Sequence, residues 1–339
     1  MNIKQYILLL FLTVVSAGCR LIDDDLSVCG EEYNLNYEMR LVTEIKLTIE
    51  EKLSAETDKP LAEALQKWCD PFFSGHANDL EMDFYSLDGR DELRHHFSET
   101  VNGKQKTFTL TIPLEDYQHL AVVNVAGNNS MTLSGTQHAA TMHLEEVGSD
   151  TIESHATSVY SARLPLMLQN IKQDTKFDVH LYMVSCAVAL AVSDSSKNTH
   201  PVMSKMLVTG TANGFNVNDS TYIYNNRTRV VRAEKVMDRC YAALLLPSRD
   251  SLEIAAAPER AESMKADDSL WQIKAYTQLP GGKVTETILS IHHPLKAATL
   301  EIIKVYMMDD GSLVPEQAAE VGATVTLDWK DGGSHDIEI

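Results

Sequence analysis

The chain has 339 residues and a formal net charge of −19. A surface of that sign repels nucleic acid and anionic lipid head groups, so neither is an expected partner. Hydrophobic residues make up 44% of the sequence, enough for packed cores, which excludes a disordered chain, and the length suggests two domains. In chain order the first element is not part of the fold. Lys4, an apolar run from Tyr6 to Val15 and the small residues Ser16, Ala17 and Gly18 read as a secretory signal peptide over residues 1–18. The apolar run is shorter than the roughly 20 residues that cross a bilayer as a helix.

Ser16-Ala17-Gly18-Cys19 resembles the lipobox of bacterial lipoproteins, with serine where leucine is usual at the first position. The resemblance implies cleavage before Cys19 and lipidation of its thiol and amine. Each buried methylene then contributes about 0.8 kcal/mol, so two or more acyl chains hold a protein stably on a membrane. Asp23, Asp24 and Asp25 follow directly. They resemble the export signal that sends lipoproteins of the Bacteroidetes to the cell surface; the alternative is a plain solvated tether, spanning 19–32.

The cysteines left after Cys19 are Cys29, Cys69, Cys186 and Cys240, an even set with three possible connectivities in an oxidising compartment. Cys29 lies in the tether and Cys69 near the end of a helix, so a Cys29 to Cys69 bridge is one candidate, contributing on the order of 4 kcal/mol at most through loop entropy. Cys186 and Cys240 sit in apolar runs and read as buried thiols, with a bridge between them as the alternative.

The spacing of Leu61, Leu65 and Trp68 predicts an amphipathic helix over 60–69, opened by Pro60 and closed before Pro71. Period two then takes over. Leu80, Met82 and Phe84 alternate with polar positions, Asp88-Gly89 predicts a turn into 93–97, and Thr107, Thr109 and Thr111 alternate with Phe108, Leu110 and Ile112. Residues 120–126 predict a further strand. The polar stretch 169–175 reads as a linker, dividing the body into β-sandwiches at 33–170 and 171–339. The run from Phe177 to Val192 is read as one long strand, its Ala187, Ala189 and Ala191 forming a small face that invites close approach of a second layer. More strands are predicted at 205–210, 221–225, 240–247, 252–257, 271–278, 284–291, 298–307 and 323–329. Many short strands with glycine turns and one helix give an all-β class.

Chemistry-bearing patterns are sparse. His95-His96 and His292-His293 would point to opposite faces of a strand, and His138 and His143 lack a His-Glu-x-x-His frame, so no metal site and no cofactor is expected. The sequence contains no nucleophile elbow, phosphate-binding glycine loop or Cys-x-x-Cys, so no enzyme activity is expected. Trp68, Trp271, Trp329 and the tyrosines leave open a sugar-stacking surface.

The opening Ile22-Asp-Asp-Asp-Leu-Ser-Val-Cys29, followed by Leu35-Asn-Tyr-Glu-Met39, resembles the start of the FimB-like anchor subunits of type V pili in the Bacteroidales. Phe84 to Gly89, His119 to Ala126 and Val325 to Trp329 resemble that family's first hairpin, central strand and last strand. The resemblance implies two transthyretin-like β-sandwiches with a short helix in the first, lipid-anchored in the outer membrane. It implies an anchor or minor fimbrial subunit whose partners are shaft pilins, joined by strand complementation; the alternative is a surface lipoprotein that binds polysaccharide. As a donor strand the candidate is 323–329, with Val325, Leu327 and Trp329 on one side; the alternative is an internal edge strand.

Overall fold

A computed structural model describes residues 32–42, 46–47, 49–87, 92–137, 141–148, 150–169, 176–193, 201–224, 229–251, 269–316 and 321–329. In chain order they form β1 (Glu32–Leu41), β2 (Lys46–Leu47), α1 (Ile49–Lys52), a 3-10 turn (Glu56–Asp58) and α2 (Lys59–Phe73). Next come β3 (Ala77–Ser86), β4 (Leu93–Gly103), β5 (Gln105–Pro113), β6 (Asp116–Val123), β7 (Met131–Ser134), β8 (His143–Glu146), β9 (Thr151–Glu153), β10 (Tyr160–Met167) and β11 (Lys176–Met183). The remainder is β12 (Cys186–Ser193), β13 (Val202–Thr209), β14 (Gly214–Asn216), β15 (Thr221–Ile223), β16 (Val230–Arg232), β17 (Glu234–Met237), β18 (Cys240–Leu245), β19 (Trp271–Gln278), β20 (Val284–Ile291), β21 (Thr299–Met307), β22 (Leu313–Pro315) and β23 (Val321–Trp329).

The protein is an all-β sandwich with one short amphipathic helix. Four sheets run β4-β3-β6-β10-β11-β1-β5, then β17-β18-β12-β21-β2 with β22 on β21, then β23-β20-β19-β13-β16-β9, and finally β15-β14-β8-β7. The second sheet is the middle layer. Every residue of β12 is buried, as its unbroken apolar run requires of a strand covered on both faces. Ala187, Ala189 and Ala191, with Cys240 and Ala242 beside them, share one core with the first sheet and α2. Val188, Leu190 and Val192, with Tyr241 and Ala243, face the third sheet around Trp271. The small face therefore meets a close second layer, as its composition predicts. Ala189→Leu should lower stability by about 1–3 kcal/mol, because a close-packed layer must shift to admit the added methylenes. Urea unfolding of the two proteins measures it, and equal midpoints would contradict the packing.

Two expectations are corrected. Helix α2 does not stop before Pro71 but runs to Phe73, with Leu61, Leu65, Cys69 and Phe73 buried along one stripe. Pro71 falls in the last turn, where one lost backbone bond is outweighed by burying Phe73. The run 177–192 is two strands, because Ser185 turns the chain from one sheet into another. Its Oγ accepts the Val159 N–H at 3.1 Å and its carbonyl accepts the Ala298 N–H at 2.9 Å. Residues 170–175 lie outside the described residues; β10 before them and β11 after them belong to the same sheet. The chain leaves that sheet for the last time at Val184–Ser185, and β9, between β6 and β10 in sequence, pairs with β16 of the later half.

Candidate functional site: an open seam in the first sheet

Strands β10 and β11 are neighbours in the seven-stranded sheet, yet they pair only at Tyr160↔Met183 and Ser161↔Tyr182. Beyond that point each is bonded on its far side alone. β10 pairs with β6 along its whole length, Tyr160↔Val123 to Met167↔Asp116, and β11 runs parallel to β1 from Asn36↔Lys176 to Leu41↔Leu181. Two strand edges thus face each other across a gap with backbone groups that lack ladder partners. Such edges are templates for another strand.

Local sequence is compatible with the opening but does not dictate it. Pro165 has no N–H to contribute to a ladder. Continuing the register of the two formed pairs would set Arg163 directly opposite His180. Alternation places Ala162 and Leu166 of β10, and Phe177, Val179 and Leu181 of β11, in or against the core. Arg163, Pro165, Asp178, His180 and Tyr182 are exposed on the outer face. The cleft there measures about 520 Å³; it reaches inward to Ala162 and Leu164 and is walled by Phe215, Ser220 and Tyr222.

That wall is the β14–β15 hairpin. Gly214 lets β14 approach β8 closely, since a Cβ there would lie 2.5 Å from the Leu144 carbonyl oxygen. The Tyr222 hydroxyl donates to the Val184 carbonyl at 2.9 Å, and its ring meets Phe215 at 5.0 Å. Burial, its largest cause, raises the Tyr222 pKa, so the phenol stays a neutral donor.

Charges around the seam divide into spent and unspent. Lys176 pairs with Glu38 and with Asp178, the latter at 3.0 Å, and Arg40 donates to Glu38 at 2.9 Å. The Lys176 hydrogen bond, then that of Arg40, holds the Glu38 carboxyl below the usual carboxylate range. Arg163 and His180 make no ion pair or hydrogen bond among the described residues.

The residues singled out by sequence fall elsewhere. Cys19, Asp23, Asp24, Asp25, Cys29, His138 and the strand expected at 252–257 lie outside the described residues. Cys69 carries a buried free thiol, pushed up to about 12 chiefly by burial. Cys186 and Cys240 are free thiols too, and they face opposite sides of the second sheet, so no bridge joins them. The strand with Val325, Leu327 and Trp329 is β23, antiparallel to β20 at the margin of the third sheet. Tyr182 and Tyr306 are the aromatic rings more than a third exposed among the described residues, and they stand on different sheets, not in a row. Trp271 is buried, its indole N–H donating to the His293 carbonyl at 2.9 Å. Sequence reading missed Arg163 and His180. The one local signal was Pro165 inside an otherwise strand-like run.

No helix of the described residues is long and apolar enough to cross a membrane. No family model matches the chain, and no curated protein matches it. Among solved structures it is similar to a candidate adhesin of Bacteroides ovatus, with 10% identity over 89% of this chain and 97% of that one and a TM-score of 0.47. It is also similar to the tip fimbrial protein Mfa3 of Porphyromonas gingivalis with a C-terminal truncation, at 12% identity, 88% and 100% coverage and a TM-score of 0.44. The fimbrial anchor protein Mfa2 of the same organism aligns at 11% identity, covering 87% of this chain and 99% of that one, with a TM-score of 0.40.

Proposed function

We propose that the chain is a surface lipoprotein of the outer membrane that acts as an anchor or minor subunit of a type V fimbria. It takes an extended strand of a shaft pilin into the seam between β10 and β11. The observation that carries the reading is the seam itself: two facing strand edges, each bonded on one side, offer backbone hydrogen bonds to a third strand while the exposed and core-facing side chains select its residues. The seam favours an acceptor role, because β23, the candidate donor, already has a partner in β20. Cys19 supplies the lipid, and Asp23 to Asp25 the export signal. No turnover is part of this role.

The test is a pull-down of the native lipoprotein from its own outer membrane with mass spectrometry of what accompanies it. Recovery of a pilin in a heat-resistant complex is the expected result. Recovery of the lipoprotein alone, or with sugar transporters, would replace the reading by polysaccharide binding. Cys19→Ala should move nearly all of the protein from the membrane to the soluble fraction and detach filaments. Retention unchanged by that substitution would overturn the lipid anchor.

A further inference from the structure

The seam also carries information about what enters it. Resting on the acceptor reading above, we infer that the incoming segment is an extended peptide with an acidic side chain on its outer face, set between Arg163 and His180, and apolar side chains on its inner face. Charge complementarity carries the inference. In a chain of net charge −19, the exposed Arg163 has no partner among the described residues. His180 is likewise exposed and unpartnered, and both line the cleft. Asp178, the carboxylate that lines the same cleft, is already paired with Lys176 at 3.0 Å.

A strand threaded between the edges would place alternate side chains up and down. Those pointing down meet Leu164, which packs against the core, and Val179, which is part of it. Those pointing up at the level of Arg163 lie between a guanidinium and an imidazole. A carboxylate accepts from both, and such charge-assisted bonds are about twice as strong as neutral ones. A lysine at that position would be repelled by the Arg163 guanidinium, which offers no acceptor.

The experiment uses the full-length chain in detergent and three synthetic octapeptides alternating valine and threonine, with Glu, Gln or Lys at one central outward position, read by fluorescence anisotropy. The expected order is Glu over Gln by about tenfold, with Lys weakest, and the preference shrinks as salt rises. Arg163→Gln should remove most of the Glu preference, and Arg163→Glu should reverse the order of the Glu and Lys peptides. Both variants change an exposed side chain, so folding is retained, and His180→Glu offers an independent reversal from the opposite strand. If all three peptides bind equally and Arg163→Glu leaves that unchanged, the acidic-segment inference falls while the acceptor seam stands. If no peptide binds, or a neutral oligosaccharide binds in their place, both fall.

Discussion

On acidification from pH 7.5 to pH 4.5, His119→Gln should lose about 2–3 kcal/mol less stability than the natural chain. His119 is fully buried in the first core. One ring nitrogen lies 2.8 Å from the Tyr37 hydroxyl and the other 3.1 Å from the Asp83 carbonyl, and the ring stacks on Phe84 at 4.3 Å. A carbonyl only accepts, so Nδ1 carries the hydrogen and Nε2 receives the Tyr37 O–H. That arrangement suits the neutral ring. Burial pushes the His119 pKa down from its ordinary 6.5 to about 3. In the unfolded chain the same ring takes up a proton at about 6.5. Between those values the unfolded state binds more protons, so stability falls as pH falls, by about 1.4 kcal/mol per pH unit. Glutamine carries no titrating group and escapes this loss. Asp83, whose carboxyl burial raises, acts in the opposite direction, but it is present in both proteins and cancels in the difference. Urea unfolding at the two pH values reads the result; a gap between the proteins that does not narrow on acidification would show that His119 is not held neutral.

The fold was legible wherever one strand face meets water. Thr107, Thr109 and Thr111 are exposed while Leu110 and Ile112 are buried, so β5 shows its period in the sequence. The alanine face of β12 was legible for a different reason, since small residues in an apolar run imply a close layer whatever that layer is. Helix α2 was visible from Leu61, Leu65 and Trp68, but its end was not. Pro71 is a local signal, whereas the burial of Phe73 against the first core is a property of the assembled molecule.

Other elements left too little pattern. Strands β7, β8 and β9 span only three or four residues, too few to establish a period. β10 keeps a period of two, with Tyr160, Ala162, Leu164 and Leu166 facing the core, but Pro165 within the run argues locally against a strand. The seam itself has no local code. It exists because β11 turns away from its chain neighbour β10 to lie parallel to β1, the first strand of the sheet, and nothing near either strand announces that choice. Arg163 and His180 acquire their meaning only from that pairing. The membrane half of the proposed role, by contrast, rests on residues around Cys19 and owes nothing to the fold.

Glu146→Ala should destabilise the protein by about 3–5 kcal/mol, among the largest effects of any single polar substitution in it. Glu146 ends β8, and its side chain is 1% exposed; His155, fully buried, stands beside it with Nε2 3.1 Å from the carboxylate. Arg229 approaches the other carboxylate oxygen at 3.9 Å and donates to the Glu146 carbonyl. Water is nearly excluded from this group, so the carboxylate is matched only by those neighbours. Replacing the whole set with apolar residues could be nearly neutral, because the attraction does little more than offset desolvation. Removing the carboxylate alone is different: the His155 Nε2 loses its partner in a place where its Nδ1 already has none. The position matters beyond stability. β8 pairs with β14, the strand that carries Phe215 in the wall of the seam. Loosening β8 should therefore also weaken peptide binding in the seam, although Glu146 does not line it. A double-mutant cycle of Glu146→Ala with His155→Ala, read by urea unfolding, separates the contributions. The expected sign is a double mutant less destabilised than the sum of the singles, since once the carboxylate is gone the imidazole is a liability. Strict additivity would mean that the two groups are neighbours without being partners.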